Sequence, residues 1–116
     1  MPVKYHEFID SAESMLDAGT EISFRNAISR AYYGLYHFAK TKADEKAWFD
    51  YVSSSHQGLI DRYKNNGQTQ ISYVLADLHK VRCKADYEMD RSFDNVNTEY
   101  NVDRCKKLIK KIGYSE

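Results

Sequence analysis

Apolar residues in this 116-residue chain recur at steps of three and four, the spacing that gathers them on one side of an α-helix. Phe24, Ile28 and Leu35, for example, belong to one such series. Five helices are predicted, over residues 4–18, 23–42, 54–65, 70–91 and 98–112. No segment shows the alternation typical of a strand. The sequence therefore predicts an all-α fold, an up-and-down bundle of four main helices plus a short extra helix.

Residues with strong capping preferences mark several of the predicted helix ends. Ser23 is expected to be the N-cap of the second helix, since its hydroxyl can accept a backbone N–H of the first turn. Gly19 can take the left-handed conformation that ends the first helix. We expect Gly67 and Gly113 to end the third and fifth helices in the same way.

Aromatic residues are abundant, with ten Tyr, five Phe and one Trp. A Tyr buries its ring but must satisfy its hydroxyl, so this many Tyr residues suggest an interface or a polar seam beside the core. Trp48, Phe49 and Tyr51 fall in a stretch, residues 43–54, that lacks clean periodicity. We predict either a loop folded back on the body or one irregular turn there.

Composition and charge exclude several classes of protein. A length of 116 residues fits one domain, residues 1–116, and 42% hydrophobic residues argue against disorder. Seventeen basic residues balance seventeen acidic ones, so bulk charge does not drive the chain onto nucleic acid or anionic lipid. The sequence has no apolar run long enough for a membrane span or a signal peptide, which predicts a cytoplasmic protein with no membrane contact.

Metal and cofactor motifs are missing from the sequence. No Glu is followed by a His three residues later, no Gly-rich loop leads into a helix, and Cys83 and Cys105 stand too far apart for a C-x-x-C pair. The four His residues fall in separate segments. We therefore expect no metal and no cofactor, and we interpret the two cysteines as buried or half-buried thiols.

Two polar groupings remain as candidates for chemistry. Arg30, Tyr33 and His37 follow one line along the second helix, because residues seven apart differ by only about 20° in direction. His79, Arg82 and Asp86 lie together beside the apolar stripe of the fourth helix. A His beside an Arg can cleave RNA without metal, since imidazole moves protons and guanidinium stabilises phosphoryl charge.

A plainer interpretation of the same residues stays open. An Arg and a His two turns apart usually form a solvated or partner-bonded helix face, and Arg82 and Asp86 can simply pair on the surface. His56, close to a helix start, can be a cap-side or surface residue.

Three ordered segments of the chain together resemble one known family. Arg25 to Phe38 (RNAISRAYYGLYHF), Ser55 to Ile60 (SHQGLI) and Leu75 to Tyr87 (LADLHKVRCKADY) are similar to segments of the HEPN family, the higher eukaryotes and prokaryotes nucleotide-binding domain. The order and approximate spacing of the segments fit, and the resemblance covers most of the chain.

The resemblance implies a homodimeric α-bundle, often encoded beside a nucleotidyltransferase as a toxin with its antitoxin. Active members are metal-independent ribonucleases with an Arg-x(4–6)-His motif, and some are silenced when the partner adds AMP to a nearby tyrosine. This chain has the motif as Arg30-x6-His37 on the second helix, whereas Arg82 on the fourth helix has no such His after it.

We therefore expect a toxin-like endoribonuclease in which Arg30 and His37 are catalytic. The residues expected to bind RNA or a nucleotide are Tyr33, His56, His79, Arg82, Asp86 and Tyr87, with Tyr87 also a candidate for modification. The alternative is a non-catalytic HEPN module that binds a nucleotide or a partner protein.

Overall fold

The computed structural model describes residues 4–48, 55–88 and 92–114 of the chain. Within these residues there are five α-helices and no strand. The helices are α1 (Tyr5–Ala18), α2 (Glu21–Glu45), α3 (Ser55–Asn65), α4 (Thr69–Tyr87) and α5 (Asn95–Tyr114). The predicted all-α bundle is confirmed, and α3 is the short extra helix.

Helix α2 is the centre of the bundle, because it contacts each of the other four helices. Its inner side carries fully buried small residues, which let neighbouring helices approach closely: Ala27, Ala31, Ala39 and Ala43. Around them the other helices contribute large buried side chains: Ile9, Leu59, Tyr63, Ile71, Leu75, Leu78, Val102, Leu108 and Ile112. A smaller second core is formed by Phe24, Ile28, Ala85 and Phe93.

Helix α1 packs tightly against α2 at Gly34. A Cβ atom built at this position would lie 2.9 Å from the backbone oxygen of Tyr5 and 3.1 Å from Cδ1 of Ile9. The first distance is shorter than a carbon–oxygen contact allows, and a backbone oxygen cannot move aside as a side chain can. Gly34 therefore sets the distance between the two helices.

We expect the substitution Gly34→Ala to lower the free energy of unfolding by about 1–2 kcal/mol, because overpacking outweighs the roughly 1 kcal/mol by which Ala is the better helix former. Gly113→Ala is the matched control, since its Cβ would lie 3.5 Å from Cζ of Phe38, an ordinary contact. The control should be neutral or stabilising by up to about 0.5 kcal/mol. Urea unfolding of both variants measures the difference, and a stabilised Gly34→Ala protein would contradict this description of the α1–α2 contact.

Two of the four predicted caps are correct. Gly19 and Gly67 have left-handed backbones, with φ of 72° and 81°. The N-cap prediction at Ser23 is wrong, because the N-cap is Thr20 and Ser23 occupies the third helical position. Thr20 Oγ1 accepts the Ser23 N–H at 3.1 Å, and Ser23 Oγ accepts the Thr20 N–H at 3.0 Å. This reciprocal capping box satisfies two backbone donors.

The ends of α4 and α5 also differ from the prediction. Helix α4 ends at Tyr87, and α5 begins at Asn95, three residues earlier than expected. The side chain of Asp94 explains the earlier start, since its Oδ1 accepts the Asn97 N–H at 2.8 Å. Gly113 does not end α5, because it lies inside the helix against Phe38.

Trp48, three residues after the end of α2, packs against the core, which agrees with one of the two alternatives predicted for residues 43–54, whereas residues 43–45 belong to α2 itself. The indole packs edge-on against Tyr63, with ring centroids 5.4 Å apart. The guanidinium of Arg62, a residue of α3, donates to the backbone oxygen of Trp48 and so holds Trp48 beside α3. Phe49 and Tyr51, also part of that prediction, lie outside the described residues.

The remaining expectations concern cysteines and membranes. Cys105 is buried and Cys83 is half-buried, and both are free thiols, as predicted. Burial raises the pKa of the Cys105 thiol to about 12. Across the described part of the chain, none of the helices has the length and apolar character that a membrane span requires.

Candidate functional site

Polar side chains from three helices meet in one place that no single segment of the sequence defines. Helix α3 contributes His56, α4 contributes His79 and Arg82, and α2 contributes Tyr32 and Tyr33. We call these five residues the histidine–arginine cluster. Both histidines and Arg82 are half-buried, so the cluster is in contact with solvent on one side.

The two imidazoles of the cluster lie face to face. The rings of His56 and His79 are stacked, with centroids 4.5 Å apart and planes 16° from parallel. The Tyr32 hydroxyl lies 3.0 Å from Nδ1 of His56, and the tautomer of His56 decides which of the two donates. The Tyr36 ring packs 4.8 Å from His56, and Cys83 Sγ lies 3.6 Å from Nε2 of His79.

Arg82 is held in place by α2 and by its own helix. Its Nη2 donates to the Tyr33 hydroxyl at 2.9 Å, and the guanidinium lies over the Tyr33 ring at 5.1 Å. Its buried Nε lies 2.8 Å from Oδ2 of Asp86, which Ser29 approaches at 3.5 Å. Within the described residues Nη1 of Arg82 makes no hydrogen bond, so this edge of the guanidinium can receive an anion.

The electrostatics of the cluster favour neutral imidazoles. Burial lowers the pKa of His56, and the neighbouring His79 and Arg82 lower it further. Burial and Arg82 likewise lower the pKa of His79. Burial raises the pKa of Tyr32 above its usual value of 10.0, so its hydroxyl keeps its proton at neutral pH. In the cluster, two uncharged imidazoles and the protonated Tyr32 hydroxyl therefore lie beside the fixed positive charge of Arg82.

The stability of the fold should depend on pH through these two histidines. Their pKa values are lowered from 6.5 in the folded chain, so the unfolded chain binds more protons as the pH falls below about 6.5. The stabilisation from neutral imidazoles is thus complete above pH 6.5 and is lost as the pH falls through the folded-state pKa values.

We expect urea unfolding to show a free energy of unfolding that decreases from neutral pH to about pH 5. A His56→Gln/His79→Gln protein should show a flatter profile, whereas His6→Gln, which changes an exposed residue of α1, should keep the wild-type profile. If the free energy of unfolding falls equally steeply with pH in the wild-type and double-variant proteins, the pH dependence does not come from His56 and His79.

Arg30 and His37, the predicted catalytic pair, both face α1. Nη1 of Arg30 donates to Ser11 Oγ at 2.7 Å. The exposed ring of His37 stacks on Phe8, with centroids 5.6 Å apart. His37 lines a cleft of about 450 Å³ that also includes Lys4, His6, Phe38 and Lys42, and Arg30 is not among the residues that line it. The catalytic role of the pair stays a prediction.

Tyr33 joins the two polar groupings that the sequence suggested separately. Its ring lies 6.3 Å from that of His37, while its hydroxyl accepts a hydrogen bond from Arg82. The structure thus brings His56, His79, Arg82, Tyr33 and Asp86 together. Tyr87, the last residue of α4, is instead 72% exposed.

Sequence reasoning missed Tyr32, which belongs to the cluster, and Tyr36 and Cys83, which contact its two histidines. Tyr32 and Tyr36 are four residues apart on α2, and this spacing is the one signal that could have placed both rings against the same neighbour. Within the residues that the structure describes, no three His, Cys, Asp or Glu side chains converge as a metal ion would need.

The described helices form a bundle that carries a candidate site made of two imidazoles and a guanidinium. A protein of Methanocaldococcus jannaschii that is named as a putative toxin is 30% identical to this chain over 101 residues, covering 77% of the chain and 73% of the relative. The chain belongs to the same protein family as this archaeal relative. No family model matches the chain, and no solved structure matches it. Membership of the HEPN family therefore stays a prediction.

Proposed function

We propose that the chain is the toxin of a toxin–antitoxin pair and that it cuts RNA without a metal ion. The name of the archaeal relative supports the toxin part of the proposal. The stacking of His56 on His79 beside Arg82 supports the RNA-cleavage part. The proposal places the reaction at the histidine–arginine cluster and keeps Arg30 and His37 as the competing pair.

The reaction needs two proton transfers and one stabilised phosphate. The 2′-oxygen of a ribose attacks the adjacent phosphorus, and the bond from phosphorus to the 5′-oxygen breaks. One imidazole takes the proton of the 2′-hydroxyl, and the other supplies a proton to the leaving 5′-oxygen. The open Nη1 edge of Arg82 is suited to the charge that grows on the phosphoryl oxygens.

Phosphate binding would also help one imidazole to hold the proton that it donates as the general acid. A phosphate paired with Arg82 offsets the positive charge that lowers the pKa of both imidazoles. One histidine can then hold a proton while the other stays neutral. Tyr32, hydrogen-bonded to Nδ1 of His56, would keep that ring oriented so that Nε2 does the proton transfer.

The test is incubation of the purified chain with a labelled single-stranded RNA in the presence of EDTA. We expect fragments that end in a 2′,3′-cyclic phosphate and a 5′-hydroxyl, and we expect growth of a bacterial host to stop when the chain is produced in it. Growth arrest with intact RNA would support the toxin function but contradict the proposed RNA cleavage. Intact RNA together with normal growth would reject both.

A second candidate function is a non-catalytic module that binds a nucleotide or a partner protein. The observation that favours it is the double anchoring of Arg82 by Tyr33 and Asp86, which suits recognition of an anion as well as catalysis. A thermal shift caused by ATP or AMP, with RNA left intact, would select this function.

The partner in either case is proposed from the resemblance and from the relative's name. We propose a nucleotidyltransferase as the antitoxin, with the exposed Tyr87 as the residue that would accept AMP. Mass spectrometry of the chain after co-production with the nucleotidyltransferase encoded beside it, where there is one, would identify the modified residue.

A further inference from the structure

The exposed ring of His37 is held by aromatic neighbours and not by hydrogen bonds. It stacks on Phe8 with centroids 5.6 Å apart and lies 6.3 Å from the Tyr33 ring. The Tyr36 ring meets it edge-on at 5.5 Å. Within the described part of the chain, neither nitrogen of His37 has a hydrogen-bond partner. An imidazole fixed in this way offers a flat surface on which another ring can stack at low entropic cost.

One side of the His37 ring is open. The centroids of His37, Phe8 and Tyr33 form a nearly equilateral triangle, because Phe8 and Tyr33 lie 6.2 Å apart. Two rings on opposite faces of His37 would lie much farther from each other. Phe8 and Tyr33 therefore do not enclose the imidazole between them, and the His37 side chain is exposed.

The cleft beside His37 has the size and the charge for one nucleotide unit. Its volume of about 450 Å³ lies within the range of ligand sites, about 300–1,000 Å³. Lys4, Lys42 and the Phe38 ring are among its lining groups. Lys42 pairs with Glu45 at 3.4 Å, but both side chains are at least 34% exposed, so a phosphate can replace the carboxylate at little cost. We call the His37 ring and this cleft the stacking subsite.

Tyr33 connects the stacking subsite to the histidine–arginine cluster. The Arg82 guanidinium lies 5.1 Å from the centre of the Tyr33 ring, and that ring lies 6.3 Å from His37. These two short steps place His37 within reach of a nucleotide adjacent to a phosphate bound at Arg82. Surfaces that bind single-stranded nucleic acids combine cations with exposed rings in this way. Along this line the order is Arg82, Tyr33, His37 and Lys42.

We propose, on the basis of the proposed function, that His37 stacks on the base of the nucleotide next to the cleaved phosphate and that Lys42 pairs with this nucleotide's own phosphate. His37 then binds RNA and moves no proton. The base must be unpaired, because the bases of a double helix are stacked on one another inside it. The net charge of the chain is zero, so attraction to phosphates is local and base stacking supplies a large part of the affinity.

Fluorescence anisotropy with a labelled 2′-O-methyl oligonucleotide tests the stacking subsite without cleavage, since a methylated 2′-oxygen cannot attack phosphorus. We expect His37→Ala to raise the Kd of this single strand about tenfold, a typical loss for one stacked base. His37→Phe should restore the affinity, because Phe keeps a ring and has no nitrogen. The same variant should restore cleavage of RNA, which a proton-transferring His37 would not allow.

Lys42→Gln separates the phosphate contact from the stacking. It should weaken binding and lower the slope of log Kd against log salt concentration by about one, as expected when one phosphate contact is lost. His37→Ala should weaken binding with the wild-type slope, because a stacked base releases no counterion. A Lys42→Gln protein with unchanged affinity and slope contradicts the phosphate contact.

The matched controls are Tyr73→Ala and Lys64→Gln, which remove an exposed ring from α4 and an exposed cation from α3. Both should bind the oligonucleotide as the wild-type chain does, and circular dichroism checks that every variant keeps the helical fold. Controls that lose as much affinity as His37→Ala and Lys42→Gln would show diffuse binding and overturn the proposal.

Three further ligands define what the stacking subsite holds. A strand of the same length without bases, the same strand paired with its complement, and free AMP should each bind about tenfold more weakly than the single strand. Equal binding of the strand without bases or of the duplex overturns the stacking, and equal binding of AMP overturns the placement within a strand.

The wild-type and His37→Ala proteins decide the proposal. A wild-type chain that does not bind the single strand overturns it, and so does a His37→Ala protein that binds the strand as tightly as the wild-type chain. Binding that depends on His37, with RNA left intact in EDTA, contradicts the proposed cleavage but supports the stacking subsite. Cleavage of RNA that is unchanged in His37→Ala, together with unchanged binding, supports the cleavage and overturns the subsite.

Discussion

Replacing both His56 and His79 by Gln is expected to lower the rate of RNA cleavage by at least about 100-fold, the contribution typical of a positioned acid or base. Gln keeps the polarity and approximate size of the side chain but cannot move a proton at neutral pH. Initial rates on a labelled single-stranded RNA in EDTA measure the effect. Each single variant should lose nearly as much as the double variant, because the two transfers belong to one reaction.

Two further proteins make this result specific. His6→Gln removes an exposed imidazole outside the histidine–arginine cluster and should keep wild-type activity. Arg30→Ala/His37→Ala removes the competing pair. If that variant loses activity while His56→Gln/His79→Gln keeps it, the reaction belongs to the motif on α2 and the cluster is not its site.

Local features of the fold could be predicted from the sequence, because they depend on near neighbours. Predicted residues 4–18 correspond to α1 over Tyr5–Ala18, since the apolar spacing and Gly19 both act within a few residues. The prediction failed where two residues offered the same chemistry. Thr20 and Ser23 can each cap a helix, and only the reciprocal hydrogen bonds between them show which one is the N-cap.

The cluster illustrates the limit of the same reasoning. The pairing of Arg82 with Asp86 follows from their spacing of four on one helix. The stacking of His56 on His79 depends on how α3 packs against α4, and the bond from Arg82 to Tyr33 joins residues 49 positions apart. Neither contact leaves a periodic signal, so the sequence could name these residues but could not place them together.

Arg25 is the charged residue with the largest expected effect on stability. It is only 5% exposed. Its Nη1 donates to the Ala85 backbone oxygen at 2.9 Å and approaches that of Lys84 at 3.4 Å, and its guanidinium lies 4.9 Å from the centre of the Phe93 ring. Both carbonyls belong to the last turn of α4, where the dipole favours a positive charge. The Lys84 oxygen also accepts the Glu88 N–H at 3.0 Å, so Arg25 matters most for the Ala85 oxygen, which lies where a helix lacks backbone partners for its carbonyls. One side chain of α2 therefore caps α4 and supports the start of α5.

Arg25→Ala is therefore expected to lower the free energy of unfolding by about 2–3 kcal/mol, because it removes charged hydrogen bonds to buried carbonyls and the packing against Phe93. Arg25→Lys should recover part of the loss, since Lys keeps the charge but lacks the planar fork. Arg30→Ala is the matched control on the same helix: it loses one exposed bond to Ser11 and should cost no more than about 0.5 kcal/mol. Urea unfolding with unchanged m-values gives the three differences. Equal losses for Arg25→Ala and Arg30→Ala would show that the cap from α2 contributes nothing to the stability of α4.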